Sequence, residues 1–175
     1  MDYFQHIPKV NYKFGQLTSR NAFVDLTAYV QIIDEIKDKG GIIKSFKSYC
    51  GGLVAPDYDT NPWNYKFTWN PRNVVLAGQG TAQYIDSGKY KYIPYGQLFK
   101  RTDTVNVLNY GQFEAYANRD SLSYREVYKL YDIPTLFRGT LRKPGYCEAW
   151  DLFVQMGMTD AVSYTHLTLP TKRIV

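Results

Sequence analysis

The sequence predicts an α+β fold: a mixed, largely antiparallel sheet of about five strands with helices packed on it. Segments 22–39, 124–131 and 146–153 repeat apolar residues at helical spacing, whereas segments 42–49, 65–69, 90–95, 105–116 and 135–142 are rich in β-branched and aromatic residues. Glycine pairs and prolines punctuate these runs, as at Gly40-Gly41, Gly51-Gly52 and Pro134.

Residues 1–21 show no clean period and stay unassigned, so the domain is expected over residues 22–160. Leu26, Tyr29, Val30 and Ile33 line one face of the first helix, and Gly40-Gly41 provides a left-handed stop. Segment 42–49 reads as a strand that Cys50-Gly51-Gly52 turns sharply, because paired glycines reach backbone angles closed to other residues. A loop over 54–64 leads to a strand over 65–69. Asn70-Pro71 then opens a helix expected to run to about residue 86, although Gly78 and Gly80 weaken it. Two further strands, 90–95 and 105–116, are separated by the polar stretch Lys100-Arg101-Thr102-Asp103.

Ser123 and Glu126 fit a capping box at the start of a helix whose Tyr124, Val127, Tyr128 and Tyr131 share a face, placing Arg119 near its mouth. Pro134 ends that helix. In the strand 135–142, the period of two puts Leu136, Arg138, Thr140 and Arg142 on one face and Phe137 and Leu141 toward the core. Tyr146, Ala149, Trp150 and Phe153 form a core-packing helical stripe that ends near Gly157. The final VSYTHLTLPTKRIV resembles read-through translation of a sequencing adapter, and segment 161–175 is set aside as a non-native tail.

A chain of 175 residues with 45% hydrophobic and 21% charged residues suits one globular domain. Its 17 tyrosines suit half-buried sheets and interfaces, because each ring buries area while its hydroxyl keeps a hydrogen bond. The net charge of +5 is spread among acids instead of forming a run, which argues against nucleic acid and is equally explained by a small anionic substrate. Cys50 and Cys147 lack metal-ligand spacing, and His6 and His166 stand alone, so no metal site is expected. No stretch reaches the ~18 apolar residues of a membrane helix, and Met1-Asp2 opens no signal peptide, so the expected location is cytoplasmic. Gly78 and Gly80 lack the rest of a dinucleotide fingerprint, and no Rossmann domain is read in the chain.

Arg119, Arg138 and Arg142 offer fork-shaped donors suited to several carboxylates. The competing reading is an edge strand kept soluble by its charges. The residues that decide between them are Asn118-Arg119-Asp120-Ser121-Leu122 followed by Arg138-Gly139-Thr140-Leu141-Arg142, together with Ser48-Tyr49-Cys50-Gly51-Gly52-Leu53-Val54-Ala55-Pro56 and Asn61-Pro62 leading into Tyr65-Lys66-Phe67-Thr68-Trp69-Asn70-Pro71-Arg72. These motifs, in this order, resemble the substrate domain of saccharopine dehydrogenases of the glutamate-forming, lysine-pathway kind, over roughly residues 25–158.

The resemblance implies a domain like the C-terminal domain of glyceraldehyde-3-phosphate dehydrogenase, in a homodimeric NAD(P)-dependent enzyme that interconverts saccharopine with glutamate and aminoadipate semialdehyde. It places Arg119, Thr140, Leu141 and Arg142 against the substrate carboxylates and amine, lets Asn118 and Asp120 hold the loop, and puts Cys50, Gly51, Gly52 and Trp69 near the cofactor or substrate cleft. It names no acid-base residue. Asp25 keeps the acid of an Asp-His pair common in the family, but Leu26 replaces the histidine, and Ala117 stands where the family often has proline. With no Rossmann domain read, the chain is expected to be an inactive fragment that binds no nicotinamide cofactor alone and pairs with a nucleotide-binding domain of the same polypeptide. A carboxyspermidine-type dehydrogenase domain and a non-enzymatic binding module are the alternatives.

Overall fold

The computed structural model describes residues 22–67, 70–76, 79–107 and 109–160. Its elements are α1 (Ala22–Asp38), β1 (Ser45–Cys50), α2 (Pro71–Val75), β2 (Ala82–Asp86), β3 (Lys89–Ile93), β4 (Thr102–Val107), β5 (Gly111–Ala117), α3 (Tyr124–Val127), β6 (Thr135–Arg142) and α4 (Tyr146–Gln155). A 3₁₀ segment, Tyr95–Lys100, joins β3 to β4. Together the strands make a 6-stranded sheet in which β6 is the hub.

One flank of β6 pairs in parallel with β1 along Ser45–Cys50. The other flank is shared: Leu136 meets Ile85 of β2, and residues 139–142 pair antiparallel with residues 117–114 of β5. The chain makes that transition by leaving β5 at Asn118, whose N–H still donates to the Arg138 carbonyl, and crossing to β2 through Arg119 and Ser121. Arg138 and Arg142 therefore belong to the strand at the centre of the sheet, not to a solvated edge. Leu136 is 0% exposed and Phe137 is also buried, so β6 packs on both faces.

On one side, Leu136 joins Ile33, Ile85, Tyr128 and Ile133, with Phe46 and Tyr29 against them, which docks α1 on the sheet. A second cluster gathers Phe99, Tyr116, Phe137, Cys147 and Val154 beneath α4. Helix α1 ends as expected: Gly40 has φ +74, and the N–H groups of Gly40 and Gly41 return to Lys37 and Ile36 in a Schellman stop.

Several elements differ from the sequence reading. Asn70 does cap α2 by accepting from the Arg72 N–H, but the helix ends at Val75 and the segment expected to extend it contains β2. Ser87 and Gly88, with φ 51 and 78, make the two-residue turn that lets β2 and β3 pair, a geometry matched to strand twist. Segment 105–116 is split into the β4–β5 hairpin, with Asn109 and Gly111 at positive φ. Tyr65 to Phe67 are irregular, and residues 68–69 lie outside the described residues, as do His6, His166 and the proposed tail.

Helix α3 is a single turn. Lys129 at φ 52 breaks it, leaving Val127 43% and Tyr131 56% exposed while Tyr128 goes to the core. The Ser123–Glu126 capping box does not form; the Asp120 Oδ1 instead accepts from the Leu122 and Ser123 N–H groups at 3.0 and 3.1 Å.

Gly51 explains part of the Cys50-Gly51-Gly52 turn by close approach. A Cβ there would lie 2.3 Å from the Leu141 carbonyl oxygen, a backbone atom that cannot swing aside. Gly51→Ala should therefore cost about 1–3 kcal/mol, as overpacking does. Thermal melts of the two proteins check this, with a drop of several degrees expected and an unchanged midpoint counting against the contact.

Candidate functional site

Arg138, Thr140 and Arg142 project from one face of β6, opposite Ser48 and Cys50 of β1 and Tyr116 and Glu114 of β5. Arg142 is only 9% exposed. Its Cζ lies 5.2 Å from the Tyr65 ring centroid and 5.1 Å from that of Tyr146, and the two rings are themselves 5.0 Å apart. Its Nη1 donates to the Leu141 carbonyl at 3.2 Å, and its buried Nε has no partner. Among the described residues no carboxylate lies within ion-pair distance of it.

Burial works against the Arg142 charge, but Tyr116, Tyr146 and Tyr65 around it more than compensate and hold the guanidinium above its ordinary range. Burial conversely pushes the Tyr146 and Tyr116 hydroxyls up, against the opposing pull of Arg142, so they remain neutral donors and acceptors. The arrangement is a dehydrated cation with unsatisfied hydrogen-bonding capacity. Such a group is costly unless an anion completes it.

Glu114 is the cross-strand neighbour of Arg142, yet its carboxylate is committed elsewhere. Oε1 accepts from the Gly145 N–H at 2.8 Å and Oε2 from the Cys147 N–H at 2.9 Å, which satisfies the first free donors of α4. Burial and this neighbouring carboxylate push the Cys147 thiol up, so it is an inert core group and not a nucleophile.

The 118–121 loop is organised around backbone contacts. Asn118 Oδ1 accepts from the Arg119 N–H at 2.8 Å, and the fully buried Ser121 Oγ accepts from the Arg138 N–H at 2.9 Å. Burial pushes the Asp120 carboxyl up, but hydrogen bonds from Ser123, Gln83 and Leu122 outweigh it and hold the group below its ordinary value. A depressed folded-state pKa adds stability that is present above the unfolded value and is lost as pH falls through the folded one. Asp120→Asn keeps the acceptor oxygen and removes the titration. Its melting temperature should therefore lie below the parent's at pH 7 and converge with it below about pH 4, where the parent loses the contribution of the ionised carboxylate; a gap that stays constant down the acid limb would contradict this.

The sequence-predicted residues do not all converge. Thr140 and Arg142 share the face just described, but the Leu141 side chain points into a core cluster with Phe113 and Ala115. Arg119 is exposed, and a single four-residue turn three positions beyond Ser121 does not make the helix mouth expected for it. Since Asn118 bonds opposite Arg138, Arg119 lies about five strand residues, roughly 16 Å, from Arg142 along β6. Cys50 and Gly52 are exposed at the end of β1, next to Gly51, while Trp69 lies outside the described residues.

Tyr65, Tyr116, Tyr146 and Glu114 are the participants that sequence reasoning missed. Glu114 carried a signal, as an acid between Phe113 and Ala115 in an otherwise apolar strand end. The tyrosines carried none, being lost among so many others. Among the described residues no cluster of metal-ligating side chains exists, and no helix is long and apolar enough to cross a membrane.

Comparison with known proteins gives a consistent result. Residues 21–171 match the family model for the saccharopine dehydrogenase C-terminal domain. The chain is 36% identical over 156 residues to the saccharopine dehydrogenase [NADP(+), L-glutamate-forming] of Schizosaccharomyces pombe, covering 86% of this chain and 35% of that protein. It is 39% identical over 141 residues to the mitochondrial alpha-aminoadipic semialdehyde synthase of Rattus norvegicus, covering 79% of this chain and 15% of that protein. Among solved structures, it is similar to an apo histidine-tagged saccharopine dehydrogenase (L-Glu forming) from Saccharomyces cerevisiae, with a TM-score of 0.70 and 38% identity over 79% of this chain and 31% of the other. The chain thus spans about a third or less of the relatives it matches.

Proposed function

This chain belongs to the saccharopine dehydrogenase C-terminal domain family, and on that premise we propose that it is the substrate-binding domain of an NADP-dependent saccharopine dehydrogenase. The observation that carries the proposal is Arg142, a buried guanidinium with no carboxylate of its own among the described residues. Saccharopine brings three carboxylates. One of them completes Arg142 through two parallel hydrogen bonds, with the Thr140 and Tyr146 hydroxyls beside it. Tyr65, which comes from an irregular segment, moves aside for entry and then shields the ion pair from water.

The proposal gives a second carboxylate to Arg119 at the far end of β6, on a loop held by Asn118 and Asp120. A nicotinamide cofactor bound elsewhere in the full-length protein would supply the redox chemistry, accepting hydride from the amine-bearing carbon of saccharopine or returning it to the corresponding imine carbon. This chain binds and orients the substrate.

The described residues do not fit a dinucleotide phosphate cradle. Cys50-Gly51-Gly52 follows a strand but leads into an irregular segment instead of a helix, and Gly51 is already filled against Leu141. Cofactor binding is accordingly assigned to a separate nucleotide-binding domain of the same polypeptide. A homodimer belongs to the same proposal and is measurable by light scattering.

The test is the rate of NADP⁺ reduction by the full-length protein with saccharopine, beside carboxyspermidine as competitor. Saccharopine-dependent turnover is expected. A folded protein that binds NADPH but turns over only carboxyspermidine, or neither compound, would overturn the proposal.

A further inference from the structure

We propose that Arg138 is a further specificity-determining residue, which binds a carboxylate of the substrate different from the one bound by Arg142; this rests on the function proposed above. Arg138 and Arg142 are separated by an even number of residues on β6, so both leave the same face of the strand, with Thr140 between them. Four residues of strand put their Cα atoms roughly 13 Å apart. That spacing is too wide for one carboxylate and suits an extended ligand with an anion near each end.

The setting of Arg138 repeats that of Arg142. Its Cζ lies 3.5 Å from the Tyr124 ring centroid, a close cation–π stack that holds the planar guanidinium in place. Its backbone is tied twice, by the N–H to Ser121 Oγ at 2.9 Å and by the carbonyl to the Asn118 N–H at 2.8 Å. No carboxylate lies within ion-pair distance among the described residues, even though Asp120 belongs to the loop hydrogen-bonded to it. Asp120 spends its Oδ1 on the Leu122 and Ser123 N–H groups, just as Glu114 spends its carboxylate on α4. In both cases the nearest acid along the paired backbone is committed to capping, and the arginine keeps its charge for something else.

Arg138 also differs from Arg142 in exposure. It is half-buried, not fully enclosed, so its carboxylate is reached without displacing an aromatic ring. The midpoint of the face is polar but uncharged: Cys50 and Tyr116 flank Thr140 on the neighbouring strands. A ligand lying along β6 therefore meets a cation, a neutral polar stretch and a second cation, which matches a chain with carboxylates near its ends and an amine between them. A compact diacid cannot engage both.

The experiment uses the full-length protein with NADP⁺, saccharopine, and saccharopine derivatives converted to the amide at one carboxylate at a time. Arg138→Gln should raise KM for saccharopine about tenfold to a hundredfold with kcat changed less than threefold. Against one amide derivative that loss should disappear, and this derivative should differ from the one that silences Arg142→Lys. Arg138→Lys keeps the charge and the Tyr124 stack and should restore most of the KM, with a residual loss of about threefold to tenfold; it also serves if Arg138→Gln does not fold. An unchanged KM in Arg138→Gln, or equal losses toward every derivative, would overturn the role given to Arg138. A parent that ignores saccharopine would instead overturn the proposed function and this role with it.

Discussion

Replacing Arg142 by methionine in the full-length protein should lower kcat/KM for saccharopine by at least about a hundredfold while leaving stability unchanged or slightly raised. A charge-assisted bond is worth about 1.5–3 kcal/mol, and a bidentate pair loses two of them. Ordinary buried residues behave differently, because truncating them weakens fold and function together. Arg142 is enclosed by Tyr65, Tyr116 and Tyr146 without a counter-ion among the described residues, so methionine removes a desolvated charge and keeps most of the packing volume. Steady-state kinetics and urea denaturation on the same preparation give the two readings. A loss of several kcal/mol in stability would mean that the cation already has a structural partner.

Glu114→Ala should give the largest stability loss outside the apolar core, about 2–4 kcal/mol. Both carboxylate oxygens serve N–H groups at the start of α4, and alanine leaves the buried Cys147 N–H without a partner. Glu114→Gln keeps one acceptor and should cost about half as much. The loss should reach the site as well, because Tyr146 and Trp150 on α4 stack with ring planes 9° apart and Tyr146 covers Arg142. The urea midpoints of the three proteins decide the order, expected as parent, then Gln, then Ala. A Gln midpoint equal to the parent's would show that the carboxylate contributes nothing beyond its volume and one acceptor.

Long apolar periods and backbone-dictated stops were legible in the sequence. Helix α1 with its Gly40-Gly41 end, the cap at Asn70-Pro71 and the strand carrying Arg138 and Arg142 all appear where residue spacing put them. The misread elements are those decided by tertiary pairing. The segment after Pro71 has acceptable helical residues, but Ala82 to Asp86 gains more by pairing with β3 and burying Ala82 and Ile85. The Asp86-Ser87-Gly88-Lys89 turn was the available signal, a serine-glycine pair between aromatic runs.

At the site, the arginines were visible because they interrupt an apolar strand. Their cages were not, since Tyr65 and Tyr146 reach Arg142 from segments far apart in sequence. The position of Arg119 was misplaced for a similar reason. Sequence proximity suggested a helix mouth, whereas Gln83 draws the Arg119 and Ser121 backbone across to β2.

The central claim is that the Arg142 guanidinium binds a substrate carboxylate on the face of β6. A crystal structure of the full-length protein with saccharopine bound tests it most directly. The account predicts a carboxylate with both oxygens about 2.7–2.9 Å from Arg142 nitrogens and the Tyr65 ring displaced to admit it. Saccharopine bound with every carboxylate remote from Arg142, and Tyr65 still stacked beside it, would contradict the account.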